Sequence, residues 1–185
     1  MTDVPTAPLL VRDSTASDVP AIARIYAHWV LHGLASFELD PPDVTEMAER
    51  RATLLGAGFP YLVAIGVSGS LVGYTYAGFY RTRPAYRFAC EDSVYIAPDA
   101  TGLGAGRALL SALIERCRAR GFRLMVAVIG DSGNTPSIGL HNALGFRHAG
   151  TLPAIGWKHD RWIDSVLMVR PLGPGSTSPP ETSPA

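Results

Sequence analysis

The stretch "APDATGLGAGRALLSALIERC", Ala97 to Cys117, decides how the chain is read. Glycines stand at 102, 104 and 106 and Arg107 follows. Leu109, Leu113 and Cys117 then recur at helical spacing until Gly121 offers a stop. The residues just before it, "EDSVYI" (91–96), read as a strand. A strand, a glycine-rich turn and a helix start together present free backbone N–H groups and the positive helix end to an anion. Two phosphate-binding patterns are excluded. A loop ending in Gly-Lys-Ser/Thr is ruled out because Arg107 and Ala108 follow Gly106. The dinucleotide pattern GxGxxG needs glycine at 107, where arginine stands. A turn that links strand to helix and holds nothing is the alternative at this point.

The bulk composition narrows the partner. The chain of 185 residues fits one domain, 47% hydrophobic and 17% charged, with 16 basic and 16 acidic residues. That balance leaves no electrostatic footprint for nucleic acid or an anionic membrane, and points to a small-molecule partner. Cys90 and Cys117 are too few for a disulfide framework and lack metal-ligand spacing, which fits reduced thiols in a cytoplasmic protein. His28 and His32, four apart, have no third ligand at useful spacing, so no metal is expected. "MTDVPTAPLLVRDS" has neither a basic start nor an apolar core, so no signal peptide is expected. From Ala52 to Tyr80 no charge occurs, but Pro60 and Ser68-Gly69-Ser70 divide the run. Two buried strands around a turn fit it better than a membrane span.

The rest of the chain reads as alternating elements. A strand is expected at Leu9–Arg12 and a helix capped by Thr15 with Asp18 three residues on. A proline-bearing loop "GLASFELDPPD" follows, then a helix near Thr45–Leu55 and strands at 61–67, 71–80 and 91–96. After the glycine turn and its helix come a buried strand "LMVAVI" (124–129), a short helix from Thr135 to Leu144, and a last strand "WIDSVLMV" (162–169). Residues 1–8 are expected to be flexible, 9–172 to form one α/β domain, and the Gly/Pro/Ser/Thr tail 173–185 to be disordered.

The glycine turn resembles the acyl-CoA pyrophosphate loop of the GCN5-related N-acetyltransferases, with pattern Gln/Arg-x-x-Gly-x-Gly/Ala. Gly104 and Gly106 match its glycines, and Thr101 departs from its leading Gln/Arg. Six blocks, "SFELDPP" (36–42), "YRTRPAY" (80–86), "EDSVYIAP" (91–98), "VAVIG" (126–130), "PSIGLHNALGF" (136–146) and "GWKHDRW" (156–162), narrow the resemblance to the phosphinothricin and methionine-sulfoximine N-acetyltransferases. The resemblance implies a mixed, mostly antiparallel sheet flanked by helices, whose central strands splay to form an acyl-CoA cleft. It implies acetyl-CoA as acyl donor, a small amine acceptor, a homodimer and a role in resistance to such compounds.

It also assigns residues. Glu91 matches the family's proposed general base, which an amine protonated at neutral pH requires before it can attack. Asp92 is expected on the opposite face of that strand. Val94, Tyr95 and Ile96 would pair with the pantetheine arm, a backbone N–H here meeting the thioester oxygen. Gly102, Leu103, Gly104, Ala105, Gly106 and Arg107 would hold the diphosphate, and Asn134 would meet the arm. His141 stands where the wider superfamily places a tyrosine acid; a structural helix histidine is the alternative. Phe37, Arg81, Arg83 and Tyr86 match the region lining the substrate pocket, with arginines suited to carboxylate or phosphinate. Lys158 is a weaker candidate.

Overall fold

The structure, a computed structural model, describes residues 9–180 and residue 184; the first eight residues, expected to be flexible, lie outside the described residues. Seven strands form one sheet: β1 (Leu10–Asp13), β2 (Tyr61–Ile65), β3 (Leu71–Phe79), β4 (Ala89–Ile96), β5 (Leu124–Gly130), β6 (Arg147–Lys158) and β7 (Arg161–Pro171). Their order is β1-β2-β3-β4-β5-β7-β6. Every neighbouring pair is antiparallel except β4 and β5. The fold is the expected mixed, mostly antiparallel α/β sheet. The uncharged run resolves as the end of one helix followed by the β2–β3 pair, whose register is Tyr61↔Tyr76 and Val63↔Tyr74.

Four helices cover the two faces: α1 (Val19–His32), α2 (Val44–Gly56), α3 (Ala105–Ala119) and α4 (Thr135–Ala143). The chain enters α1 through a single 3-10 turn, where the Thr15 N–H donates to Asp18 Oδ2 at 2.7 Å and Arg12 pairs with the same carboxylate. On one face α1 and α2 bury Ile22, Ile25, Tyr26, Val30 and Met47 against Tyr61, Val63 and Tyr74. On the other, α3 buries Leu109, Leu110, Leu113 and Cys117 against Leu62, Cys90, Met125 and Ala127. Both cysteines are free thiols within this second core. Each such side chain contributes roughly 1.5–3 kcal/mol on removal from water.

The first residues after β7 make contacts with Arg123. Arg123 Nε donates to the Gly175 carbonyl at 2.8 Å and Nη2 to the Ser178 carbonyl at 2.6 Å, which holds turns there against the end of β7.

Candidate active site at the fork of the central strands

The site begins where the sheet opens. The parallel ladder between β4 and β5 runs from Ala89↔Leu124 to Asp92↔Ala127 and stops, although β4 keeps its β3 partners up to Ile96. From residue 93 onward β4 and β5 diverge, which leaves backbone groups on their facing edges. Trp29 of α1 reaches this edge and donates its indole N–H to the Ile96 carbonyl at 2.7 Å.

A cavity of about 390 Å³ lies in the opening. β4 contributes Val94, Tyr95 and Ile96, and the glycine turn contributes Thr101, Gly102, Gly104, Ala105, Gly106 and Arg107. Asn134, Pro136, Ser137 and Leu140 close the far side. Gly102 and Gly104 have φ of 78° and 85°, the left-handed region that an L side chain resists, and the backbone turns there into the first N–H groups of α3. Gly106 answers a different need: a Cβ would come within 3.2 Å of Leu140, so its absence lets α3 approach α4. Leu103 alone among the expected cofactor residues does not line this cavity; its side chain is 59% exposed. Asn134 is also the N-cap of α4: its Oδ1 accepts from Ser137 N–H at 3.3 Å and its Nδ2 donates to the Gly130 carbonyl at 3.4 Å.

Glu91 sits on the last paired turn of β4, opposite Gly78 and Val126. Alternation along the strand puts it on the α1/α2 face with Ser93 and Tyr95, while Asp92 turns to the α3/α4 face as expected. Burial first, and then the negative charge of Asp92, push the Glu91 carboxyl up to about 7, with Arg81 opposing. Such a group is half-ionised near neutrality, where a general base works best. On this face a chamber of about 540 Å³ is lined by Tyr26, Tyr61, Tyr74, Tyr76 and Arg50. Burial raises all four phenols above their usual range, so they remain neutral hydrogen-bond donors.

Asp92 is buried and meets His141 of α4, with His141 Nε2 and Asp92 Oδ2 3.0 Å apart. The other imidazole nitrogen, Nδ1, lies 2.7 Å from the Ser137 carbonyl. Burial pulls the His141 ring down, but the hydrogen bond and charge of Asp92 outweigh it, and the net shift is upward. His141 thus has both nitrogens engaged, within a small cavity of about 50 Å³ at the base of the fork.

The expected substrate residues are less drawn together. Phe37 is 40% exposed and packs against Gly156 of β6, where a Cβ would overlap its ring. This contact seats the loop between α1 and α2 beside the fork. Gly130 helps, since a Cβ there would overlap the Leu34 carbonyl. Lys158 is buried and donates to the Ser36 carbonyl at 2.8 Å, so it holds this loop down; burial lowers its pKa. Arg81, Arg83 and Tyr86 are exposed and line neither the cleft nor the tyrosine chamber. Arg81 stacks over Tyr80 at 5.3 Å, and Tyr80 meets Tyr86 edge-on. Among the described residues, no group of three His, Cys, Asp or Glu side chains is placed to hold a metal ion.

Trp29, Ser137, Asp92 and the tyrosines were not singled out from sequence for the site. Only alternation on β4 and the i, i+4 relation of Ser137 to His141 would have pointed to any of them.

Residues 24–146 match the acetyltransferase (GNAT) family. The chain belongs to this family. It is accordingly an N-acetyltransferase, and its acyl donor is acetyl-CoA. It is 58% identical over 172 residues to a phosphinothricin N-acetyltransferase of Alcaligenes faecalis, covering 93% of this chain and 85% of the relative. It is 40% identical to an L-methionine sulfoximine/L-methionine sulfone acetyltransferase of Pseudomonas aeruginosa, over 91% of this chain and 98% of the relative. The solved phosphinothricin acetyltransferase of Sinorhizobium meliloti in complex with AcCoA superposes with a TM-score of 0.91 at 48% identity, covering 95% of each chain.

Proposed function

We propose that this acetyltransferase acts on the α-amine of a small amino-acid analogue of the phosphinothricin or methionine sulfoximine type. Glu91 takes the amine proton, directly or through a water, and the amine attacks the thioester carbonyl. The observation that carries this reading is a strand fork, lined by a glycine turn, that opens just past Glu91, whose carboxyl is raised by burial to about 7. The names of the two relatives supply the substrate class. The diphosphate of the donor is held by N–H groups from Gly102 to Arg107, and its arm by the free edge of Val94–Ile96 and by Asn134. The loop bearing Phe37, pinned by Lys158, encloses the amine side and favours a small acceptor over a peptide. Arg81, Arg83 and Tyr86 supply the rim that meets the acceptor's oxygens, Arg81 already being near enough to act on Glu91.

The enzyme works in the cytoplasm as a homodimer. Edge strand β6 and its partner β7 leave Ile155, Trp157 and Trp162 at 54–63% exposure, an apolar surface that a second subunit would cover.

Thiol release from acetyl-CoA, measured against a panel of amines, tests the reading. Release with phosphinothricin, methionine sulfoximine or methionine sulfone and not with peptide amines is expected. Release only with peptide N-termini or lysines contradicts it.

A further inference from the structure

In the resting state, hydrogen-bond partners set how many protons the buried Asp92–His141 pair holds. The Ser137 carbonyl can only accept, so the contact at 2.7 Å requires a proton on His141 Nδ1. Nε2 and the Asp92 carboxyl, 3.0 Å apart, then share one further proton between two atoms that are otherwise both acceptors. Asp92 Oδ1 is buried without a hydrogen-bond partner, so the imidazole is what compensates this carboxyl. The pair is therefore neutral as a unit and stores one proton. It lies at the base of the strand fork.

Ser137 connects this store to the cleft. Its hydroxyl lies 3.4 Å from His141 Nδ1, and the residue lines both the fork cavity and the larger cleft. The other titratable side chains lining these two cavities are Tyr95 of β4, whose phenol burial keeps neutral, and Arg107 at the distant helix start. The groups facing the pair are few. Cys90 lies on the same face of β4, with Cys117 of α3 behind it; Glu91 is next in sequence but on the other face; Phe146 sets its ring edge-on to the imidazole. β5 contributes only apolar residues there.

We propose that Asp92 is a positioning residue that keeps His141 doubly protonated, and that Ser137 passes this proton to the thiolate leaving acetyl-CoA. The proposal rests on the acetyl-transfer reading above. With the ammonium's first proton already passed through Glu91 to solvent, the free amine nitrogen bonds to the acetyl carbon, its surplus proton goes to Glu91, and the C–S bond breaks with its electron pair on sulfur. The sulfur takes the Ser137 hydroxyl proton, and Ser137 is refilled from His141 Nδ1. His141 is left neutral, with its remaining proton on Nε2 donated to Asp92. Solvent exchange then returns the proton from Glu91 to the pair, so the products are amide and free thiol.

The ring-nitrogen NMR shifts of His141, followed from pH 6 to 9 in the full chain without donor or amine, test the store separately from the function. The imidazolium is expected to persist to higher pH in the native protein than in Asp92→Asn, since Asp92 is what raises the ring above its usual range. A ring that is neutral throughout, or a titration that Asp92→Asn leaves unmoved, overturns the proposal. Ser137→Ala, a change at a half-buried position, tests the exit. Its kcat is expected to fall about ten-fold or more, as loss of general acid catalysis does, with the KM for acetyl-CoA within two-fold. An unchanged kcat overturns the relay even where amine acetylation itself is intact. Loss of thiol release in every protein, with the His141 shifts as expected, would instead count against the acetyl-transfer reading.

Discussion

At the residue scale, Glu91 carries both an activity and a cost. Its carboxyl rises from 4.5 to about 7 because burial and Asp92 both disfavour the charge. Turnover is therefore expected to climb as pH rises through about 7, where the base loses its proton; a kcat profile checks this. Glu91→Gln is expected to lower kcat by about 10²-fold or more while leaving acetyl-CoA binding, read by calorimetry, within two-fold. The stability consequence has the opposite sign. Between 4.5 and about 7 the native state binds more protons than the unfolded chain, so stability falls as pH rises across that window. Glu91→Gln removes this loss, and its Tm is expected to exceed the native value at pH 8 but not at pH 4. A base held in its charged form against its surroundings trades stability for function.

At the scale of elements, the glycine turn and the loop after α1 position the chemistry. Gly104→Ala places a side chain at φ 85°, which costs about 1–2 kcal/mol of local strain. The expected result is a KM for acetyl-CoA raised about ten-fold with a small loss of Tm. Unaltered donor KM would mean the turn does not bind the diphosphate. These elements were legible because the signals are local: glycines between a strand and a helical repeat, Asn134 before Thr135-Pro136, alternation on β4. β6 was not. "RHAGTLPAIGWK" carries two glycines and a proline and shifts register twice against β7, so no alternation marks it as a strand. Asp92 was placed on the correct face, but its partner lies 49 residues away, a distance that spacing within one strand cannot bridge. Trp29 is one apolar residue among several along α1, and its bond to Ile96 spans 67 residues. Arg81, Arg83 and Tyr86 rest on the family blocks alone, and the loop that bears them stays at the surface.

At the scale of the whole molecule, the fork unites the two cores. The α1/α2 face presents Glu91 and the tyrosine chamber, the α3/α4 face presents the glycine cradle and the Asp92–His141 pair, and strand divergence after Asp92 opens a path between them. One uncovered surface remains at the β6–β7 end. Trp162→Asp is expected to convert a dimer, detected by sedimentation at micromolar protein, into a monomer; an unchanged monomeric native protein would contradict the assembly. Where the donor lies decides whether the fork and Glu91 act together. A crystal structure with acetyl-CoA bound measures this directly. It should place the diphosphate on the N–H groups of Gly102 to Arg107 and the thioester carbonyl within one water of the Glu91 carboxylate, about 3 Å per link. A donor bound elsewhere, or a thioester with no such link to Glu91, would contradict it.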